Sequence, residues 1–367
     1  MVKKIILLYP YFNGISGAYS RYILLKNFIK EINIPVTLIT LNEKRYNSNF
    51  TKIIQKIIKY IKVESIIFYY CFVKKYHFIT DFNPSIIALI SRKVFIQIHD
   101  VSWQNKDFAR HNLFLYRIFL FFIKNYSNIL TVSKTSMQDI IRLSKRKKRI
   151  SYLYNSVSSD FIKNSNQIGK NEKIMKNSVI SKYIDFDLPN IIYIATLSPR
   201  KCHIDLIEAL SKTKNHLNVN LVGNPSDINI QNLIKNSSNI SSDKVKFKIN
   251  YFPELSQKDL CTLLLYSSAY VSTSMIEGFG IPVLEAQLYE IPLIIRDIEI
   301  NRELFPQSLF FNSSNELIDL LDDIKPLSSS KIKNRRKILI DINQEKLGQL
   351  FNYSILSNQL NNIIKLT

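Results

Sequence analysis

The most constraining feature of this chain is an alternation. A short apolar run ends at a turn rich in Gly, Pro or polar residues, and a segment of helical period follows. Met1–Tyr9 reads as a buried strand closed by Pro10, Gly14 and Gly17 lie in a turn, Ala18–Ile32 is helical and Val36–Leu41 is the next strand. The opening resembles a signal-peptide n-region, but its apolar run is short and no small-residue cleavage site follows. The alternation resumes at Ile191–Thr196, Asp205–Ser211, Val219–Val222, Leu260–Tyr266, Ala269–Thr273, Pro282–Leu288 and Leu293–Ile295. Chains of this pattern fold as open, parallel α/β sheets, and 367 residues suit two of them. A polar stretch over Lys163–Ser181 places the linker there. The expected division is residues 1–170, residues 171–345 and a closing helix over residues 346–367, drawn from the periodic segment Gln344–Lys365.

Within the first half, Ser65–Phe72 and Val94–His99 read as strands. Thr51–Ile61 reads as a helix with Lys52, Lys56 and Lys59 on one face and Ile54, Ile57, Ile58 and Ile61 on the other. Core packing of the isoleucines is the expected arrangement, with membrane-surface contact as the alternative. His111–Tyr126 is apolar but shorter than the roughly 20 residues of a membrane span, and it carries Arg117. Arg142–Arg149 is the densest basic run, either a solvated face or a patch for anionic lipid.

Charge separates the halves. Lys and Arg number 50 against 29 acidic residues, a net +21. Residues 1–170 hold 28 and 8 of these (+20), and residues 171–367 hold 22 and 21 (+1). One half therefore faces a polyanion, such as nucleic acid, an anionic membrane or a phosphorylated lipid, unless the excess is compositional drift. Cys71, Cys202 and Cys261 have no metal-ligand spacing and are odd in number, which excludes a disulfide scaffold or zinc module.

Two turns carry chemistry. In Ser272-Thr-Ser-Met-Ile-Glu277-Gly278-Phe279-Gly280-Ile281-Pro282-Val283-Leu284-Glu285, a strand ends and glycines clear space for a close approach. Pro282 fits the first helical position, leaving the N–H groups of Val283 and Leu284 free for an anion. Glu277 and Glu285 can accept hydrogen bonds from vicinal hydroxyls. Equally, Glu285 can merely complement the helix dipole. In Ser198-Pro199-Arg200-Lys201, two cations follow a strand and can clamp a diphosphate, or form an ordinary basic turn. His99-Asp100 ends another strand, where His99 can donate to a sugar hydroxyl or serve structure alone.

Together these pieces resemble the retaining nucleotide-sugar glycosyltransferases of family 4, which have the GT-B fold. Glu277-Gly-Phe-Gly-Ile-Pro-Val-Leu-Glu285 is similar to the family's Glu-x7-Glu signature, and Arg200-Lys201 to its diphosphate-contacting pair. Ile98-His99-Asp100, Thr131-Val132-Ser133, Tyr154-Asn155-Ser156 and Leu221-Val222-Gly223 fall where the family has short motifs. Two sites depart from the pattern: Glu290 stands where the family has Gly, and Asn224-Pro225 follows Gly223 where a second Gly is common.

The resemblance implies a GT-B enzyme with two Rossmann-like domains. The first takes a glycan or polyprenyl-diphosphate-linked acceptor and the second takes the nucleotide sugar. Arg200 and Lys201 would hold the donor diphosphate, Glu277 the transferred sugar and Glu285 the ribose. His99 would lie near the reacting centre. Gly14, Gly17, Ser198, Gly223, Gly278, Phe279, Gly280, Ile281, Val283 and Leu284 would line the donor. No metal or other cofactor is expected. The implied role is hexosyl transfer in bacterial surface-polysaccharide synthesis (O-antigen, capsule or exopolysaccharide), in the cytoplasm or peripheral on the inner face of the cytoplasmic membrane. An anionic membrane facing the first domain would explain the charge split. The rivals are a basic nucleic-acid-binding protein, for which no recognition motif is present, a non-catalytic scaffold, and a nucleotide-sugar enzyme such as an epimerase.

Overall fold

A computed structural model describes residues 4–9, 17–41, 49–81, 84–100, 113–146, 149–171, 179–238, 247–342, 351 and 353–365. The chain divides into Met1–Ser156 with Gly348–Thr367, and Val157–Leu347.

In the first unit, strands β1 (Ile5–Tyr9), β2 (Val36–Thr40), β3 (His77–Thr80), β4 (Val94–Ile98), β5 (Asn128–Thr131) and β6 (Ile150–Tyr152) form a parallel sheet in the order β2-β1-β3-β4-β5-β6. The described helices are α1 (Gly17–Glu31), α2 (Asn49–Phe68), α3 (Ile87–Ile90), α4 (Leu113–Asn125) and α5 (Lys134–Ser144). All of β1 and β4 is buried, as parallel strands covered on both faces must be. Their Ile6, Leu8 and Ile96 pack with Ile67, Ile123 and Ile140 from the helices.

The second unit begins with α6 (Ser159–Lys170) and contains β7 (Asn190–Ile194), α7 (His203–Lys212), β8 (Leu217–Val222), α8 (Ile228–Ser238) and β9 (Phe247–Phe252). It continues with α9 (Gln257–Tyr266), β10 (Ala269–Ser272), α10 (Ile281–Gln287), β11 (Leu293–Arg296), α11 (Glu299–Leu304) and β12 (Leu309–Phe311). Helices α12 (Ser314–Asp322) and α13 (Ser329–Ile340) follow, and α14 (Tyr353–Lys365) returns to the first unit. The parallel sheet runs β12-β11-β10-β7-β8-β9, so the chain's direction of travel reverses between β7 and β10. In such sheets that reversal opens the ligand-binding crevice at the strands' carboxyl ends.

Several expectations need correction. Ser65–Phe72 is not a strand: it continues α2 and passes into a π-helical turn, Tyr69–Val73. A short apolar run has no period that separates strand from helix, and here the helix starts upstream and carries through. The third strand is His77–Thr80 instead. Ile57, Ile58 and Ile61 do not fill a core but lie exposed. Lys52 and Ile54 have no described side chains. The unit boundary falls at 156/157 rather than near 170, because α6 packs into the second unit. There Ser165 Oγ and Tyr289 Oη lie 2.8 Å apart, and Arg336 Nη1 donates to Ile168 O at 3.1 Å. A Cβ at Gly169 would lie 2.9 Å from Arg336 O, so only glycine allows this approach. The final helix is not a separate body: it groups with the first unit, where Phe351 meets the Tyr154 ring edge-on at 6.0 Å. In the Arg142–Arg149 run, residues 147–148 lie outside the described residues. Arg146 donates to the carbonyls of Lys124, Tyr126 and Ser127 at the end of α4, so this cation is structural.

Glu290 shows what its departure from the family pattern costs. It holds φ +50°, the left-handed region, directly after α10. Glu290→Gly and Glu290→Ala both remove the charge near Arg335, so their difference isolates the backbone. Denaturant unfolding should find the Gly variant more stable than the Ala variant by about 1 kcal/mol. Equal midpoints would show that the turn relaxes when the side chain shrinks.

Candidate functional site

The two turns singled out in the sequence leave the carboxyl ends of β7 and β10, which are hydrogen-bonded neighbours (Ile192 opposite Tyr270) on either side of the reversal. After β7, Pro199–Lys201 makes one 3-10 turn and Cys202 turns left-handed at φ +48° to start α7. The β8 end braces this loop. Leu197 N donates to Asn224 O at 3.0 Å, and Ser226 Oγ donates to Leu197 O at 2.6 Å. Gly223 stands at φ +153°, and a Cβ there would lie 2.0 Å from Ala195 O. Its glycine is required by this crossing of backbones, a structural reason that needs no ligand.

The turns are fastened to each other. Tyr193 Oη donates to Lys201 O at 2.7 Å and lies 3.0 Å from Ser274 Oγ. Thr273 Oγ1 lies 3.0 Å from Lys201 O and 2.8 Å from Cys202 O. Met275 N donates to Arg200 O at 3.0 Å, and Arg200 Nη1 donates to Ile276 O at 3.3 Å. Beneath them the His203 ring stacks on Tyr193 at 4.6 Å, and burial beside Lys201 pushes its pKa down to about 4, so it is neutral at pH 7. Arg296 ties the same platform to Asp205 and to Thr273 O. Tyr193 and Arg296 were not singled out from the sequence. Their signal was positional: each lies in or beside a strand that ends at this edge.

The charged groups fall into place differently from a simple pair of free cations. Lys201 is buried and its ammonium is ion-paired with Glu277, itself largely buried. Arg200 is only partly buried and spends one N–H on Ile276 O, leaving the rest of its fork for an anion. Glu285 is partly buried with no hydrogen-bond or ion-pair partner among the described residues, and desolvation pushes its carboxyl up to about 8. It is the fifth residue of α10, beyond the first turn, so complementing the helix dipole does not explain it.

The helix start needs a correction. The N–H groups of Val283 and Leu284 are not free: both donate to Gly280 O, at 3.0 and 3.1 Å. Gly280, at φ +84°, is the N-cap and its carbonyl closes the first turn. In this turn the N–H groups of Ile276, Glu277, Gly278, Gly280 and Ile281 are without a backbone acceptor among the described residues. The side chains of Phe279, Val283 and Leu284 are core, so those residues can offer a ligand only their backbone. Ser198 Oγ is buried without a partner at the base of the cation turn.

Three expected residues lie in the first unit. Gly14 is outside the described residues, and Gly17 is the first residue of α1. His99 Nε2 lies 3.6 Å from Asp81 Oδ2 and 3.1 Å from Gln97 Nε2. Asp81 also accepts from Tyr22 Oη. Asp81 follows β3 as His99 follows β4, and no local motif in the sequence marks it.

Residues 180–341, inside the second unit, match the family Glycosyl transferases group 1. The serotype-specific mannosyltransferase WbdA of Escherichia coli is 28% identical over 136 residues, 36% of this chain and 16% of WbdA. The O-antigen chain mannosyltransferase RfbU of Salmonella typhimurium is 27% identical over 233 residues, 60% of this chain and 57% of RfbU. This chain thus spans only about a sixth of one relative and just over half of the other. Among solved structures, Anabaena HepE in complex with UDP-glucose aligns over 99% of this chain and 100% of its own with a TM-score of 0.65, at 15% identity, a likeness of fold. The turn after β10, the cation turn after β7, the sheet order and these matches agree: the second unit carries a match to the Glycosyl transferases group 1 family over residues 180–341, and the chain has the GT-B fold.

Proposed function

We propose that the protein is a retaining hexosyltransferase that moves a sugar from a nucleoside diphosphate to a glycan or polyprenyl-diphosphate-linked acceptor in bacterial surface-polysaccharide synthesis. The observation that carries this reading is the fastening of Arg200-Lys201 to the Glu277 turn at the reversal point of the second sheet. Loss of the nucleoside diphosphate builds negative charge on the departing phosphate as the sugar becomes oxocarbenium-like. The Arg200 fork and the Lys201 ammonium stabilise that charge, an electrostatic contribution of the oxyanion-hole kind. They supply what a divalent metal supplies elsewhere, so transfer is expected to persist in EDTA. Glu277 takes sugar hydroxyls and Glu285 the ribose hydroxyls. The incoming hydroxyl attacks on the face the nucleotide leaves, which retains the anomeric configuration, and no covalent nucleophile is assigned.

In this reading the first unit takes the acceptor at an anionic membrane face on the cytoplasmic side, with His99, Gly14 and Gly17 as its contributions near the reacting sugar. WbdA and RfbU are mannosyltransferases by name, which makes mannose the first hexose to test. The direct test is a thermal-shift screen against UDP-, GDP-, ADP- and dTDP-sugars. A donor that binds only the native state adds about 2.7 kcal/mol at a hundred times its Kd. One nucleotide series should stabilise the protein, and silence from all four would overturn the assignment.

A further inference from the structure

The first sheet has its own reversal. Its order, β2-β1-β3-β4-β5-β6, changes direction between β1 and β3, and open parallel sheets take ligands at the carboxyl ends beside such a change. Asp81 follows β3 there. Strand β4 runs beside β3 with Thr80 opposite Ile96, so Asp81 and Gln97 are the next residues of the two chains. Gln97 and His99, two positions apart, point to the same side, and Gln97 Nε2 lies 3.1 Å from His99 Nε2.

The two carboxylate oxygens of Asp81 have different partners. Oδ1 accepts from Tyr22 Oη on α1. Burial, and then the Asp81 charge, hold that phenol well above its ordinary pKa, so it stays a donor. Oδ2 lies 3.6 Å from His99 Nε2. The buried Arg21 supplies a counter-charge: desolvation lowers its guanidinium to about 10, so it remains a cation near neutral pH. Asp81 is 11% exposed and His99 31%, so His99 is the member of this group that a ligand can reach.

A neutral imidazole has one N–H and one lone pair, and its neighbours decide which nitrogen has which. Gln97 does not decide. Its amide can present either end to Nε2, and Oε1 is buried without a partner, so turning the amide exchanges one unpartnered buried atom for another. The Asp81 carboxylate does decide, because it can only accept. At 3.6 Å it lies beyond a good hydrogen bond, but its charge repels a lone pair on Nε2 and favours an N–H there. Gln97 then offers Oε1 to that N–H. Nδ1 is left as the acceptor, and it makes no hydrogen bond among the described residues.

We infer that Asp81 is a positioning residue for His99. It holds the imidazole proton on Nε2 and leaves Nδ1 to accept, so the group that His99 meets is a sugar hydroxyl acting as donor, not a phosphate or carbonyl oxygen. The inference rests on the reading above that His99 lies near the reacting sugar. It reverses the direction of the hydrogen bond expected from the sequence.

The test is heteronuclear NMR of the full chain labelled with heavy nitrogen at histidine, at alkaline pH where imidazoles are neutral. Of the five histidines, His99 is assigned by the signal lost in His99→Gln. Wild type should show the Nε2–H tautomer of His99 favoured by about tenfold or more. Asp81→Asn should bring the two tautomers to comparable populations, and Gln97→Met should keep the wild-type one. Sugar transfer should fall about tenfold in Asp81→Asn, the worth of one hydrogen bond. A wild-type Nδ1–H tautomer, an Nε2–H tautomer that survives Asp81→Asn, or one that is lost in Gln97→Met would each overturn the inference. So would full transfer by Asp81→Asn once its tautomer has changed. If Asp81→Asn does not fold, the wild-type and Gln97→Met spectra still decide. The nucleotide-sugar screen tests the donor reading separately: silence there would overturn that reading and leave the histidine spectrum to decide this one.

Discussion

Lys201→Ala is expected to lower sugar transfer a hundredfold or more and to destabilise the protein, and adding Glu277→Gln should restore the stability without restoring transfer. The reason is the buried ion pair. Lys201 and Glu277 have side chains only 10% and 12% exposed. Removing the ammonium leaves a carboxylate buried without its counter-ion, a loss of about 3 kcal/mol for pairs of this kind. Glu277→Gln then removes the stranded charge, so most of that loss returns. Transfer follows a different term: losing one preorganised charge at a developing oxyanion costs about 10²–10³ in rate, and glutamine at 277 does not replace it. Arg200→Ala should separate the two effects from the other side. Arg200 is only partly buried and makes one bond, to Ile276 O, so its loss should leave the unfolding midpoint nearly unchanged while transfer falls on the same scale. Denaturant unfolding alongside steady-state transfer reads both quantities. Wild-type turnover in a folded Lys201→Ala/Glu277→Gln protein would overturn the diphosphate role. Stability that stays low after Glu277→Gln would show that Lys201 holds the fold through something other than this pair.

Those roles could be addressed from sequence because the residues that carry them sit in two short segments, Ser198–Lys201 and Ser272–Glu285. Ser272 to Glu285 spans a strand end, a turn and a helix start, and local rules govern each piece. Their mutual fastening could not be read, since Tyr193 reaches Ser274 across eighty-one positions and nothing local announces it. Strand content was legible where both faces are aliphatic, as in β1 and β4. It was blurred in β8, Leu217–Val222, where Asn218 and Asn220 read as polar interruptions although the whole strand is buried. The structure resolves this with a chain of amides: Asn218 Nδ2 donates to Asn190 Oδ1 at 2.7 Å, and Asn250 Nδ2 donates to Asn218 and Asn220 at 2.9 and 3.1 Å. Buried amides that satisfy one another are invisible to a hydropathy pattern. The exposed face of α2 failed for the opposite reason. Its isoleucines obey helical periodicity, and periodicity says that a face exists without saying what covers it.

Glu285 should make donor affinity climb with pH and then level off near pH 8. In the ligand-free protein its carboxyl is held up at about 8 by desolvation, with no cation offsetting it. The groups around it, Tyr270, Tyr289 and Cys261, are themselves raised by burial, so they remain neutral and donate no charge to it in this range. Ribose hydroxyls that donate to the carboxylate favour its ionised form and lower its pKa on binding. Binding therefore releases a proton at any pH between the bound pKa and about 8. Across that window affinity rises by up to about tenfold per pH unit, and above it the slope vanishes. The ligand-free protein obeys the same linkage with the opposite sign. Because the folded pKa lies above the unfolded one, near 4.5, the stability associated with protonated Glu285 is complete below that value and is lost as pH rises through about 8. Glu285→Gln removes both dependences at once. Its donor affinity should be flat with pH and weaker than wild type at pH 8, and its unfolding midpoint should no longer fall between pH 5 and 8 relative to wild type. Calorimetric titration in two buffers of different ionisation enthalpy counts the released proton directly. A wild-type binding reaction that releases none while the stability dependence persists would place Glu285 in the fold of α10 and take the ribose away from it.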